Sequence, residues 1–316
     1  MNREILRFYS VLLAIIIAEG ISYSDLYGQD KFLSSVKLHF NQDKTSGFKR
    51  VESRITSIDF YNELDNERSM RNRNLLSGSG VAAGDIDNDG LCDLYFCGLD
   101  NGNKLYRNLG DWNFEDITDS AKVSCAGQDS TASAFADVDG DGDMDLLVNA
   151  LGGGTRLFRN DGNLTFTETT KDAGLASNAG SMSLTLADIE NDGDLDIYVS
   201  NFHPTTIKDR PNTKIRVRMV NGLPTVASVN GVGMDNPKLK GRFEISKNRN
   251  VLEYGESDFL FINNGDGVFS KANYLDYFLS ETGEKLDKIP MDWGLAARFS
   301  DFNQDGYQDL YVCNDF

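Results

Sequence analysis

Asp85-Ile86-Asp87-Asn88-Asp89-Gly90-Leu91-Cys92-Asp93 is a nonapeptide that returns three more times in the chain. The copies are Asp137-Val138-Asp139-Gly140-Asp141-Gly142-Asp143-Met144-Asp145, Asp188-Ile189-Glu190-Asn191-Asp192-Gly193-Asp194-Leu195-Asp196 and Asp301-Phe302-Asn303-Gln304-Asp305-Gly306-Tyr307-Gln308-Asp309. Each places an oxygen-bearing side chain at positions 1, 3, 5 and 9 and a glycine at position 6. Ca²⁺ is a hard ion that takes six to eight oxygen ligands from a flexible loop, and this pattern supplies them. The expected ligands are Asp85, Asp87, Asp89 and Asp93, then Asp137, Asp139, Asp141 and Asp145. Asp188, Glu190, Asp192 and Asp196 follow, and last come Asp301, Asn303, Asp305 and Asp309. Position 7 adds the backbone carbonyls of Leu91, Asp143, Asp194 and Tyr307, aimed by the turn that the glycine permits. An Asx-rich turn without metal uses the same residue types, but four copies in one register favour the ion.

The loop is not an EF-hand. That motif needs a bidentate Glu at position 12 between two helices, and position 12 here is Phe96, Val148, Val199 or Val312. Short β-branched and aromatic runs follow position 9, such as Leu94-Tyr95-Phe96 and Ile197-Tyr198-Val199. Small apolar residues precede position 1, as in Val81-Ala82-Ala83-Gly84. Strands therefore enter and leave, and the motif is the tip of a β-hairpin.

The chain has 316 residues, a hydrophobic fraction of 40% and a formal net charge of −18. Fifteen of its negative charges are ligand carboxylates of the four loops. Empty clusters of this kind repel themselves, so cation binding is expected to couple to stability. The same charge excludes a general nucleic-acid binder, which needs a basic face.

Residues 1–28 read as a secretory signal. Arg3 and Arg7 precede a short apolar run from Phe8 to Ala18, with small residues after it. An uncleaved N-terminal anchor is the alternative; no other transmembrane span is indicated. Export places the protein outside the membrane as a secreted, surface or periplasmic chain, where calcium is abundant. Cys92, Cys97, Cys125 and Cys313 are the four cysteines, with disulfides and buried free thiols both open.

Residues 29–79 are polar and weakly patterned, with Ile55 to Tyr61 expected as one strand that closes a ring. The repeats begin near residue 80. A second signature follows three of the loops: Lys104-Leu105-Tyr106-Arg107-Asn108-Leu109-Gly110, Arg156-Leu157-Phe158-Arg159-Asn160-Asp161-Gly162 and Phe259-Leu260-Phe261-Ile262-Asn263-Asn264-Gly265. After each turn comes a strand with Phe114, Phe166 or Phe269. Apolar runs about an Asn- or Asp-Gly turn are hairpins, so one repeat is four strands in about 50 residues. Such units are blades of a β-propeller, in which small residues crowd the inner strands. The fold class expected is all-β: a propeller of four-stranded blades, of which about four are present. The sequence stops directly after the fourth calcium strand, which is expected of a fragment of a longer protein.

The third repeat is interrupted. From first acid to hairpin leucine is 20 residues in the first two repeats and 72 in the third. The inserted segment, about 201–257, holds four of the five prolines and ten Lys/Arg against five Asp/Glu. Lys208, Arg210, Lys214, Arg216 and Arg218 form its basic core and are the candidate anion-binding residues. Docking onto the acidic body, a solvated face and a site for an anionic partner such as an acidic polysaccharide all remain open.

These features resemble the FG-GAP/VCBS repeats of integrin α-type propellers. More narrowly they resemble bacterial secreted proteins of the ASPIC/UnbV and cartilage acidic protein group. The resemblance covers roughly 80–316 and is strongest in Gly80-Val81-Ala82-Ala83-Gly84 leading to the first loop. It is also marked in Asp292-Trp293-Gly294-Leu295 and in Thr206-Ile207-Lys208-Asp209-Arg210-Pro211-Asn212-Thr213. It implies a seven-bladed propeller with Ca²⁺ in its hairpin loops and a further C-terminal domain. Glu190 departs from the usual Asp or Asn at position 3, which puts the third site in doubt.

The function expected is a non-catalytic, calcium-stabilised extracellular scaffold that binds a protein or glycan. The alternative is the propeller portion of a secreted polysaccharide-active or other enzyme whose active site lies in the C-terminal part. A third reading makes the repeats spacers for that part. Catalytic candidates are thin: His39 and His203 are the only histidines, and no nucleophile elbow, HExxH, P-loop or dinucleotide fingerprint occurs.

Overall fold

The computed structural model describes residues 50–280, 282–287, 289 and 291–315. The signal at 1–28, the stretch to residue 49 and His39 lie outside the described residues. Val51–Phe316 forms one unit. Among the described residues no helix is long and apolar enough to cross a membrane.

The first sheet is β1 (Val81–Gly84), β2 (Asp93–Phe96), β3 (Lys104–Asn108) and β4 (Phe114–Asp116), hydrogen-bonded in that order. The second is β5 (Ser130–Ala136), β6 (Asp145–Ala150), β7 (Gly154–Asn160) and β8 (Phe166–Glu168), again in order. The third begins with β9 (Ser181–Ala187) and β10 (Asp196–Asn201), and a fourth contains β18 (Gly294–Ser300) and β19 (Asp309–Asn314). In all four, the residue before the nonapeptide pairs with its ninth: Gly84 with Asp93, Ala136 with Asp145, Ala187 with Asp196, Ser300 with Asp309. The acidic loops are therefore hairpin tips, and three complete four-stranded antiparallel sheets stand as propeller blades do.

Between β10 and the rest of the third sheet lies the insertion. Its β11 (Ile215–Val220), β12 (Leu223–Val229) and β13 (Val232–Gly233) form one small sheet. Its β14 (Phe243–Ile245) and β15 (Val251–Glu253) form another. The chain then returns as β16 (Phe259–Asn263) and β17 (Phe269–Lys271), and the sheet order is β17-β16-β10-β9. The insertion has a core of its own in Val226, Val229 and Phe243.

Apolar residues occur on both faces of the middle strands of the second and third sheets because these two are packed on both sides. Leu146 and Val148 of β6 join a cluster with Ile86, Tyr95 and Leu105 of the first sheet. Leu147, between them, joins Ile197, Val199 and Phe261 of the third. Successive side chains of a strand point to opposite faces, so β6 is buried along its whole length. Tyr198, Leu260 and Phe299 continue the pattern from third sheet to fourth. A further cluster gathers Leu99, Leu151 and Phe202, which follow the second strands of three sheets, with Leu75 and Met182.

The strand expected over Ile55–Tyr61 is not formed. Ser53–Thr56 is one helical turn, ended by Ser57 in the left-handed region at φ 59°. The following residues run along the first sheet without a ladder. Phe60 stacks on Phe96 with ring centroids 5.1 Å apart, and Tyr106 Oη donates to Asp59 Oδ1 at 2.8 Å. Asn62 Oδ1 accepts from Leu99 N at 3.0 Å. Side chains rather than backbone pairs hold this segment, so alternation could not be read from it.

Leu147 is fully buried between two sheets. Truncation to Ala there is expected to cost about 2–5 kcal/mol. Urea denaturation checks this; a loss under about 1 kcal/mol would contradict face-to-face packing of the second and third sheets.

Candidate metal centre

Every loop is built around its first aspartate. Asp85 Oδ1 and Oδ2 accept from Asp89 N and Gly90 N at 3.1 and 2.8 Å. Asp188 and Asp301 repeat that pair of bonds, and Asp137 accepts from Gly140 N and Gly142 N. The glycine at position 6 has φ of 85°, 93°, 99° and 89° in Gly90, Gly142, Gly193 and Gly306, a region that other residues rarely adopt. Position 4 is also left-handed, at Asn88, Gly140, Asn191 and Gln304. Asn and Gly tolerate that conformation best, a requirement the ligand pattern did not reveal.

Position 9 carries a structural role besides the ligand role that the sequence suggests. Asp93, Asp145 and Asp196 are almost completely buried, and both oxygens of each are engaged. One accepts from position 2 of its own loop: Ile86 N at 2.9 Å, Val138 N at 3.1 Å, Ile189 N at 3.0 Å. The other accepts from the second hairpin: Asn108 N at 2.7 Å, Asn160 N at 2.9 Å, Asn263 N at 2.9 Å. The ninth aspartate is thus a brace between hairpins.

The asparagine opposite is the residue that sequence reasoning missed. Asn160 Nδ2 donates to Ile86 O of the preceding loop at 2.8 Å, and Asn263 Nδ2 donates to Val138 O at 2.8 Å. Their Oδ1 atoms accept from Gly162 N and Gly265 N, both at 3.1 Å. Each asparagine therefore closes its own turn and ties its sheet to the one before. Its signal was in view, since Asn-x-Gly ends all three second signatures.

The loops differ in how far they gather carboxylates. Oxygens of Asp85, Asp87 and Asp89 lie within 4.8 Å of one another, as do those of Asp137, Asp139 and Asp145. Asp141 stands apart from the second group and Asp93 from the first. Among the described residues no such group forms in loops three and four. Glu190 Oε1 accepts from Tyr277 Oη at 3.2 Å, which turns that longer side chain aside. Asn303 donates from Nδ2 to Asp305 Oδ2 at 3.0 Å. Arginines of the second hairpin reach the first two loops: Arg107 Nη2 is 2.5 Å from Asp87 Oδ2, and Arg159 pairs with Asp139. The third repeat has Ile262 at that place.

The first loop fits a cation by a test of its own. Both Asp87 oxygens are shut from solvent; Oδ2 is met by the Arg107 guanidinium, while Oδ1 has no hydrogen bond. Buried carboxylate oxygens in that condition are costly unless a positive charge meets them, and the facing donor set is all hard oxygen. Burial also raises the carboxyls of Asp93, Asp139 and Asp196 above the ordinary range. Asp145 is pushed up to about 6 by burial, which outweighs the N–H bonds from Asn160 and Val138.

The repeated hairpins and their bracing match a known family. Residues 85–148 and 147–199 match the FG-GAP-like repeat. This stretch consists of FG-GAP-like repeats. The chain is also similar to cartilage acidic protein 1 of Xenopus tropicalis, 32% identical over 133 residues, which is 39% of this chain and 20% of that protein. The Homo sapiens cartilage acidic protein 1 is 32% identical over 133 residues, 39% of this chain and 19% of that protein. The match thus spans about a fifth of those relatives. A solved structure, BBS1N in complex with ARL6DN soaked with lead, aligns over 74% of this chain and 76% of its own at 13% identity. Its TM-score of 0.26 carries no inference.

The sequence-predicted anion residues of the insertion lie beyond the matched repeats. Arg216 and Arg218 alternate on β11 with exposed side chains, and Lys214 precedes the strand. Among the described residues none of these makes an ion pair. The insertion is instead tied down by neutral bonds: Asn72 Nδ2 to Pro204 O and Asn74 Nδ2 to His203 O, both 2.8 Å, and Trp293 Nε1 to Glu253 O at 3.2 Å. Lys214, Arg216 and Arg218 take no part in these bonds. His203 is buried beside Glu256, with Nε2 3.7 Å from Oε1, and burial lowers its pKa to about 3. All four cysteines are free, with Cys97 and Cys125 buried in the first sheet and Cys92 and Cys313 exposed.

Two measurements test this geometry. Asn263→Ala leaves the buried Val138 carbonyl without its donor and Gly265 N without its acceptor, and is expected to cost about 1–3 kcal/mol in urea denaturation. Asp145 ionises at about 6 in the fold against 3.8 ordinarily, so its stability contribution is full below about pH 4 and is lost as pH rises through 6. In chelator, the melting temperature should therefore rise between pH 7.5 and pH 5. A bound cation should flatten that slope, and an equal slope with and without one would contradict it.

Proposed function

We propose that the chain is the propeller part of an extracellular, non-catalytic scaffold whose acidic hairpin loops bind Ca²⁺ and whose exposed surface engages a protein or glycan. The observation that carries this is the first loop, where three aspartates converge and Asp87 Oδ1 is buried without a hydrogen bond. Asp85, Asp87 and Asp89 would hold the ion there, and Asp137, Asp139 and Asp145 in the second loop. The sixteen side chains and four position-7 carbonyls named from the sequence remain the full candidate set. Loops three and four are the weaker members, since Glu190 is drawn to Tyr277 and Asn303 brings no charge of its own.

Calcium suits these loops better than magnesium. Carboxylates on a flexible hairpin satisfy an irregular shell at 2.3–2.6 Å, whereas Mg²⁺ demands a near-ideal octahedron and keeps its waters. The ion's contribution would be charge neutralisation, which lets a set of like charges stay close while the hairpin tips hold one shape. Similarity to cartilage acidic protein 1 and the FG-GAP-like match support an extracellular scaffold, and a longer chain forming a closed ring belongs to the same reading. Tyr307, Phe302 and Tyr311 are exposed on the fourth sheet and offer surface for a neighbouring blade.

Melting with calcium and with chelator is the direct test. Free calcium at a hundred times the dissociation constant stabilises by about 2.7 kcal/mol per site, or roughly 5–10 °C in a domain of this size. Asp87→Asn should remove one ion from the stoichiometry measured by equilibrium dialysis. No ion bound, together with an unchanged melting temperature, would overturn the proposal.

A further inference from the structure

The insertion leaves its sheet from Asn201, the far end of β10 from the acidic loop that ends at Asp196. At that opposite edge it forms an open cavity of about 260 Å³, with Arg210, Asn230, Asn236 and Lys238 exposed at its mouth and no carboxylate in its lining. Arg210, Lys238 and Arg242 line it, together with Asn230 and Asn236. In a chain of net charge −18, this concentration of positive charge is local and specific.

The polar groups of the lining are arranged in one sense. Asn230 Oδ1 accepts from Lys214 N at 2.8 Å, and Asn236 Oδ1 accepts from Lys238 N at 3.0 Å. Both acceptor atoms are thereby committed, and each amide keeps its Nδ2 donor. Arg242 is held by Glu253 and donates through Nη2 to Thr205 O at 2.8 Å, with its guanidinium 5.2 Å from the Phe243 ring centre. Among the described residues, Arg210 and Lys238 have no ion-pair partner. The cavity therefore offers two uncompensated positive charges, two free amide donors and an apolar floor at Val229 and Phe243. The field of Arg242 and Arg210 reaches His203, where both add to the lowering that burial causes.

We propose that this cavity binds one anionic sugar residue, its sulfate or carboxylate held by Arg210, Lys238 and the two amides. An oxyanion satisfies several donors at once, and the apolar floor takes the C–H face of a ring. The volume suits a single residue rather than a large ligand. Arg216 and Arg218, exposed on the neighbouring β11, supply a screened, non-specific attraction for the rest of an acidic chain. The proposal rests on the scaffold reading only for the ligand being a glycan; the cation loops are not part of this site.

Titration calorimetry on the full chain at low salt tests it with three probes: inorganic sulfate, a sulfated disaccharide and the same disaccharide without sulfate. The sulfated sugar should bind at least tenfold tighter than inorganic sulfate, and the unsulfated one should give no heat. Arg210→Ala combined with Lys238→Ala should weaken the sulfated sugar at least tenfold with an unchanged melting temperature. Arg216→Ala combined with Arg218→Ala should change that affinity less than threefold. Equal affinity for inorganic sulfate would mean an adventitious anion only and overturn the proposal. Undiminished binding by the Arg210/Lys238 variant, or loss confined to the Arg216/Arg218 variant, would do the same. The titration is repeated after calcium binding has been measured separately. A protein that takes the sugar but ignores calcium defeats the cation reading alone, and one that takes calcium but not the sugar defeats this one alone.

Discussion

At the ninth position of each complete repeat, a carboxylate almost without solvent contact accepts one N–H from its own loop and one from the second hairpin. A charge moved from water into the interior is costly, and only well-aligned donors on both oxygens make it tolerable. Removing either donor would strand the charge, so each hairpin needs the other in register. The brace reaches further through the asparagine that supplies the second N–H. In the second and third sheets its side-chain amide donates to the preceding loop, linking Asn160 to Ile86 and Asn263 to Val138. A loop, its own second hairpin and the next sheet are in this way held by one repeated set of hydrogen bonds.

That commitment decides what is left for a cation. With position 9 engaged in bracing, the carboxylates nearest each other in the first loop are those at positions 1, 3 and 5. In the second loop Asp145 keeps company with Asp137 and Asp139, and burial, with a further push from the Asp139 and Asp141 charges, takes it up to about 6. Arg107 and Arg159 offset one charge in each of these two loops, while Ile262 leaves the third without such a partner. The arginine loops thus carry less self-repulsion than their acid count suggests. Their dependence on an ion for shape is correspondingly smaller.

The apolar runs, the Asn- or Asp-Gly turns and the spacing of acids made the four-stranded sheets readable from the sequence, and Phe114, Phe166 and Phe269 do begin their strands. Two matters were not readable. The acids looked alike in sequence because ligand and brace demand the same residue type; burial separates them, and burial is a property of the neighbouring sheet. The segment around Phe60 has strand-forming residues but no partner backbone. Its stacking on Phe96 and the Asp59–Tyr106 bond are tertiary contacts with no periodic trace. The basic insertion was visible by charge, yet its alternating Arg216 and Arg218 drew attention away from Lys238 and Arg242, which only the fold brings beside Arg210.

The insertion also shows why this edge of the sheet can accept new structure. In the first sheet seven residues separate β2 from β3; in the third, fifty-seven separate β10 from β16. Closing the longer connection costs only about 2 kcal/mol more, because loop entropy grows with the logarithm of length. The stem meets that cost locally: Asp258 accepts from Asn201 N at 2.7 Å, Asn201 Nδ2 donates to Ser257 O at 2.9 Å, and Glu256 N donates to Phe202 O at 2.8 Å. The two strands consequently stay at hairpin separation as though the connection were short. The opposite edge has no such freedom, since the spacing of its acids must meet an ion and a brace at once. Length variation, and with it the opportunity for a new binding site, falls on the side where the only requirement is that two strand ends remain together.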